Sequence, residues 1–451
     1  MAVWSCVEID NLSEDFRLDA EHYQPEYLRQ EKAMAKLPHV ELRSVADISD
    51  GNHMSIAEDF AEEGIRYLRG QDLSDFFISD ADPIYIPEQT YASLSRSHMF
   101  PGDVLVGIVG TIGSVGLVTK RHGKLTGNCK LAIIRARSLP AEYISTYLAS
   151  RVGQNEIQRR VRGAVQMGLI LPDIKELPIV IPNDAQRDAV VNAVKGAERS
   201  RERCRELIYQ AESLLANSIG LTNLDLSESI FFERPFADLK AAERFDAEYF
   251  SPRYQRVLEI LAKNGRAICD VADLAEIRFR PEKLKGSDTF QYIEIGSVRG
   301  DGLADSETVE VAEAPSRAQW IVEPGDIITS TVRPIRRLSA LITPEQSGNV
   351  CSSGFAVLRP KPDEIEPEVL LTFLRLPVIC EILDLHTTAS MYPAISTTRL
   401  MKIPIAVPNQ SIRDEVVAKV RAALTARAEA ARLLEAAKAE VERLVLKTSY
   451  I

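Results

Sequence analysis

One phrase occurs twice in this chain: RLDAEHYQPEY from Arg17 to Tyr27, and RFDAEYFSPRY from Arg244 to Tyr254. The echo continues in order. VAD at Val45–Asp47 returns at Val271–Asp273, and RYLRGQDL at Arg66–Leu73 parallels QYIEIGSV at Gln291–Val298. FPGDVLVGIVG at Phe100–Gly110 parallels EPGDIITSTVR at Glu323–Arg333, and ELPIVIPNDAQRDAVV at Glu176–Val191 parallels KIPIAVPNQSIRDEVV at Lys402–Val417. The offsets drift only between 223 and 227, so the chain holds a duplicated unit with small insertions. Any fold must therefore be built twice.

Each copy has the same grammar. A short polar helix carrying RxDAExxxPxY is expected first. Strands and turns follow, punctuated by Pro, Gly and Asp. Then come a helix, a proline-bracketed strand (LPIVIP or IPIAVP) and a long helix. The most apolar run, Val104 to Val118, is too short and glycine-rich to cross a bilayer as a helix and reads as two strands joined by a turn. In the first long helix Val190, Val194, Ala197, Arg201, Cys204, Ile208, Ala211 and Leu215 repeat at steps of four and three. Val417, Val420, Leu424, Arg427, Ala431, Leu434, Lys438, Val441 and Val445 do the same in the second. That spacing predicts two seams that pair with each other as an antiparallel coiled coil. Asp184 to Ile219 is 36 residues, about 54 Å of helix at roughly 1.5 Å per residue, long enough for a strut. The expected fold class is α+β. Mixed α/β domains span 1–182 and 221–408, the second including a linker, and long helices span 183–220 and 409–447.

Tools of catalysis are missing from the sequence. There is no GxxxxGK[ST] phosphate loop, no GxSxG elbow and no HExxH. Gly110–Gly116 reads G-x-x-G-x-x-G and leads into LVTKRHGKL, a strand and turn where a dinucleotide site needs a helix. The six cysteines are dispersed without a CxxC pair, which suits a reducing compartment and points to no zinc site. No leader of basic-then-apolar type opens the sequence. The expectation is a cytoplasmic chain that binds no cofactor or metal itself and does not catalyse.

Basic residues cluster locally against a net charge of −11. The first copy carries Lys120, Arg121 and Lys124, then Arg159, Arg160 and Arg162. The second carries Arg278, Arg280, Lys283 and Lys285, then Arg333, Arg336 and Arg337. Such clusters suit phosphate contact and reading of base edges, and the glycine-rich turns VGTIGSVG and RVRGAVQMG beside them permit close backbone approach. A solvated surface is the plain alternative for any one of them.

Two mixed α/β domains, each ending in a proline-bracketed strand and a heptad helix, resemble the specificity subunit of type I restriction–modification systems. LPIVIPNDAQRDAVVNAV and IPIAVPNQSIRDEVVAKV carry the resemblance most strongly, with PGD before an apolar strand and RxDAExxxPxY at the unit starts. The likeness spans nearly the whole chain. It implies two target recognition domains that read the two parts of a split sequence in double-stranded DNA. It also implies helices that dock DNA methyltransferase subunits supplying S-adenosylmethionine, with a restriction motor subunit as a further partner. The acidic balance suggests that the methyltransferase completes the DNA channel. A specificity protein of another methyltransferase-based phage-defence system, a protein–protein scaffold without DNA, and an enzyme of unrecognised type are the other readings. GIVGTIGSVG against TSTVRPIRRL is the largest divergence between the copies, so exchanging Val106–Val118 for its counterpart should change the methylated sequence. An unchanged methylation motif would refute that assignment.

Overall fold

The computed structural model describes residues 5–9, 17–73, 76–80, 83–163, 167–222, 224, 231–242, 244–263, 265–286, 288–388 and 393–446. The sequence-stretch RVRGAVQMG thus lies partly outside the described residues, at 164–166, as does residue 447 of the second long helix. The chain divides into two units, Met1–Arg201 with Arg427–Ile451, and Glu202–Ala426. The observed class is α+β, the class read from the sequence.

In the first unit a five-stranded sheet runs in the order Ala46–Asp50, Leu131–Ala136, Asp103–Gly107, Val115–Leu117, Phe76–Phe77. A three-stranded sheet follows the order Ile84–Ile86, Ile65–Leu68, Leu125–Gly127. Helices Ala141–Ala149 and Arg151–Gln158 come next in the chain, and their buried faces join the core of the larger sheet. The second unit repeats this with a four-stranded sheet, Ala272–Leu274, Phe355–Pro360, Ile327–Ser330, Ser339–Leu341. Its five-stranded sheet is Ile277–Arg278, Ala318–Ile321, Val350–Ser352, Thr289–Ile293, Glu307–Glu310, and its helices are Pro367–Arg375 and Pro377–Leu385. DVLVG and IITS are continuous runs because both of their faces are covered, so every residue in them is buried.

The repeated PGD has a shared physical cause. Pro101-Gly102 and Pro324-Gly325 occupy the middle of β-turns whose glycines sit at φ +93° and +88°, as a type II turn requires. The turns close through Asp103 N to Phe100 O at 2.9 Å and Asp326 N to Glu323 O at 3.0 Å. Each Asp carboxylate then accepts the amide of the residue that opens the turn, Phe100 at 2.8 Å and Glu323 at 2.9 Å. It also takes a two-pronged Arg: Arg135 on Asp103 at 2.9 and 2.8 Å, and Arg359 on Asp326 at 2.8 and 2.8 Å. Both aspartates are almost wholly buried, so the fork supplies the partners that a buried charge needs.

The opening motif is helical only in part: the first copy has a 3-10 turn at Ala20–Tyr23, both copies enter their helix at the proline, and the Arg–Asp start is not helical. Helices begin at its proline, Pro25–Met34 and Pro252–Ala262, where a missing N–H costs nothing in the first turn. The Arg–Asp pair before it spans two residues in extended chain, a spacing that no helix face offers. Arg17 grips Asp19 and also donates to Val161 O at 3.2 Å, while Arg244 grips Asp246 and donates to Leu385 O at 2.7 Å. Val161 and Leu385 follow or close the corresponding second helices, so the motif is a latch. His22 Nδ1 lies 2.7 Å from Arg159 O in the first unit. In the second, Tyr249 takes its place, under Arg244 and edge-on to His386 at 5.3 Å.

The long helices are Asp184–Ser218 and Gln410–Leu446. Each is started by the Asn after a proline: Asn183 and Gln186 exchange side-chain bonds with each other's amides, and Asn409 accepts from Ile412 N. Within the first unit Val190, Val194 and Ala197 share a core with Ala430, Leu434, Ala437, Val441 and Val445. Within the second, Ala211 and Leu215 share one with Val416 and Val420. Ascending numbers on one helix meet descending numbers on the other, so the pairing is antiparallel. The second seam is shifted at four places: Val416, Ala423, Ala430 and Ala437 are buried where the sequence pattern suggested Val417, Leu424, Ala431 and Lys438. Alanine lets the helices approach while a lysine ammonium resists burial, and a 3.6-residue helix drifts off a strict heptad. A second correction concerns IPIAVP. Pro178–Val180 pairs as a strand with His39–Glu41, but its counterpart makes only the single bridge Ala267 to Pro404. Gly265, at φ +62°, turns the partner segment away before a second pair can form. No helix among the described residues is long and apolar enough to cross a membrane.

Replacing Asp326 by Asn should cost about 2–4 kcal/mol in urea unfolding, since a buried charge pair is broken while Arg359 stays partly solvated. An unchanged midpoint would contradict the role of the fork. Burial depresses His386 to about 4, so its contribution is complete above its ordinary range near 6.5 and is lost as pH falls from there toward 4. His386→Gln should flatten the fall in stability between those pH values by as much as a few kcal/mol, measured by urea titration at each pH. An identical pH profile in the variant would exclude His386 as the cause.

Candidate nucleic-acid interface

In the second unit, the edge strand Ile277–Arg278 pairs with Ala318–Ile321, setting Arg278 opposite Trp320. Arg278, Arg280, Ser316 and Gln319 line a polar hollow of about 370 Å³. Trp320, the next residue on the same strand, lines a second hollow with Glu276, Thr331, Ser353 and Ile395. Both hollows thus draw on the strand Ala318–Ile321, and the second also takes Thr331 from the turn after Ile327–Ser330. Lys283 and Lys285 follow in exposed chain beside Arg280. Among the described residues, no side-chain hydrogen bond or ion pair engages Arg278, Arg280, Lys283, Lys285 or Arg333.

The turn itself is unusual. Arg333 and Arg337 both hold left-handed backbone, φ 48° and 58°, on either side of a single 3-10 turn, Pro334–Arg336. The corresponding turn of the first unit places glycines there, Gly110 at φ +81° and Gly113 at φ +84°. A side chain in this region strains the backbone by about 1–2 kcal/mol, and such strain concentrates at functional sites. Arg333 and Arg336 are exposed. Arg337 points inward and forks onto Glu212 at 2.8 and 2.8 Å.

The basic residues of the first unit are arranged differently. Lys120 is exposed and unpaired among the described residues. Arg121 meets Asp80 at 2.5 Å, and Lys124 meets Glu88 at 2.5 Å while lying 5.7 Å from the centre of the Tyr91 ring. Arg159 is buried, held by Glu31 at 3.3 Å and Glu156 at 3.7 Å. Arg160 binds Glu156 at 2.5 Å, and Arg162 binds Asp173 at 2.7 Å. Glu156 and Asp173 are themselves buried, so Arg159 to Arg162 compensate interior acids. The segment singled out as Val106–Val118 also narrows. Val106, Gly107 and Val115–Val118 are core strand or its buried continuation, and only the turn between them reaches the surface.

Sequence reasoning missed Gln319, Trp320, Thr331 and Ser353, which are polar or aromatic and carry no charge. The available signal was a tryptophan, one of two in the chain, directly before the PGD turn. It also missed Arg96, which is 76% exposed and donates to Asp50 at 2.9 Å, with His53 on the same carboxylate at 2.6 Å. Among the described residues no group of three His, Cys, Asp or Glu is placed to hold a metal ion.

No family model matches this sequence, and no curated protein does. Solved structures do. One is the type I restriction–modification S subunit from M. genitalium, 15% identical, spanning 91% of this chain and 95% of that one at a TM-score of 0.37. A second is the HsdS subunit from Thermoanaerobacter tengcongensis, 17% identical over 90% and 96% of the chains at a TM-score of 0.30. A third comes from a structure of type I R-M complex assembly and conformational transition, 17% identical over 90% and 98% at 0.29.

The geometry separates the basic residues into two sets with different mutational signatures. Arg159→Ala should lower unfolding stability by about 2–4 kcal/mol because the buried Glu156 charge is left undercompensated. Lys120→Ala should leave the unfolding midpoint unchanged. Equal effects of the two substitutions would contradict the division.

Proposed function

We propose that this chain is the sequence-specificity subunit of a type I restriction–modification complex, and that each unit reads one part of a split DNA target. The observation that carries this reading is the duplicated unit, whose ordered motifs match that family, with a strained, arginine-bearing turn and an unpaired basic hollow in the second copy. Arg278, Arg280, Lys283 and Lys285 suit phosphate contact, and Arg333 and Arg336 suit base edges or phosphates at the turn. The turn at Gly110–Gly113 is the corresponding turn of the first unit, which also presents the exposed Lys120. Since the two turns differ in length and charge, the two half-sites should differ.

The chain would be non-catalytic and cytoplasmic. DNA methyltransferase subunits would bind S-adenosylmethionine and transfer the methyl group, and a restriction motor subunit can complete the assembly. With a net charge of −11, the isolated chain repels DNA at long range, so tight binding should require the methyltransferase. Tight, specific binding by the chain alone at physiological salt would refute that dependence.

In the complex with its methyltransferase, Arg278→Ala with Arg280→Ala should weaken DNA binding and reduce the slope of log affinity against log salt by about 2, near 0.9 per lost phosphate contact. Unfolding stability should stay as in the parent. An unchanged affinity and slope would remove these residues from the interface.

A further inference from the structure

The second unit holds a buried charge cluster that the first lacks. Arg337 Nη2 donates to both oxygens of Glu212, and Arg337 Nε donates to Arg375 O at 2.8 Å. Arg375, only 4% exposed, donates to Arg337 O at 3.0 Å, to Ser339 O at 3.3 Å and to Gly300 O, and its Nε lies 3.7 Å from Glu212. Two guanidinium groups thus converge on one carboxylate of the first long helix and tie down the start of the strand that leaves the arginine turn.

The first unit makes the corresponding positions small and reverses the helix charge. Gly113 stands at the same place before its strand as Arg337. Ala149 ends its helix as Arg375 ends Pro367–Arg375. Lys438 lies as far beyond Asn409 as Glu212 lies beyond Asn183. Gly113, Ala149 and Lys438 line one hollow of about 420 Å³, with Phe76 and Gln154, and Gln154 holds Gly113 O at 2.9 Å. The repeats therefore surround the same turn differently: a carboxylate with two arginines in the second unit, and in the first Gln154 on Gly113 O with Lys438 paired to Glu435.

We infer that Glu212 is a positioning residue for recognition by the second unit: it holds Arg337 and Arg375, and so fixes the strained turn that presents Arg333 and Arg336. This rests on the DNA-reading proposed above and deepens it. Glu212 offsets the buried Arg375 and the partly exposed Arg337, so its loss leaves charge undercompensated, whereas removing all three groups together does not. Left-handed backbone at Arg333 persists only while its surroundings over-determine it.

The test uses the full chain with its methyltransferase and compares Glu212→Lys, Glu212→Gln and the triple variant Glu212→Lys, Arg337→Gly, Arg375→Ala, which installs the first unit's residues. Urea unfolding of each reads the cluster. Glu212→Lys should be strongly destabilised, and the triple variant should recover most of the loss. Methylation of a library varied in both half-sites reads the positioning. The folded triple variant should lose discrimination about tenfold or more at one half-site and keep it at the other. Glu212→Gln should fall between the parent and Glu212→Lys in both readouts. A triple variant that discriminates like the parent at both half-sites overturns the inference, as does additivity of the three substitutions in urea. If the parent complex methylates no split target, the DNA-reading itself fails, while the unfolding arm still decides whether Glu212 holds the turn.

Discussion

Each unit depends on core surface that its sheet domain cannot supply alone. The first unit's core joins sheet residues such as Val104 and Ile134 to Val190 and Val194 of one long helix and to Ala437 and Val441 of the other. The second joins Ile327 and Leu358 to Ala211 and Leu215, and to Val416 and Val420. A helix pair with only a narrow seam is marginal in water, and here its outer flank is buried against a domain as well. That coupling explains why the first unit needs chain from 427 onward. It also explains why both long helices begin with a proline-asparagine stop and cap that fixes their start to the residue.

Charge is divided in the same economical manner. Buried aspartates at the two PGD turns bind one arginine each, and the acids around the second helices bind Arg159, Arg160 and Arg162. These pairs hold the domains together. Outside these pairs, the second unit presents exposed cations on a strand edge and a strained turn. An acidic protein can thus present a local positive face without being a general polycation, and the weak long-range attraction leaves room for selectivity set by partners.

Much of the fold was legible because its signals are local. Ordered repeats fixed the duplication, PGD with an apolar run marked the central strand, and four-three spacing marked the helices. The errors came where distant residues decide. Ala430 and Ala437 replace Ala431 and Lys438 in the seam because helix contact, not spacing alone, selects the face. Arg159 looked like a surface cation because its partner Glu31 lies far back in the chain, and Arg337 because Glu212 does. The opening motif suggested a helix, yet its Arg–Asp pair is an extended-chain latch onto a helix end. Arg278 and Arg280 stay exposed, as a local cluster of cations in the sequence suggests.

The central claim is that one chain carries two different readers for a partner's chemistry. Methylome sequencing of a host expressing this chain with its cognate methyltransferase tests it most directly. The account predicts new methylation at a split motif with two dissimilar halves separated by a fixed spacer. Absence of new methylation, or methylation at one continuous or symmetric motif, would contradict it.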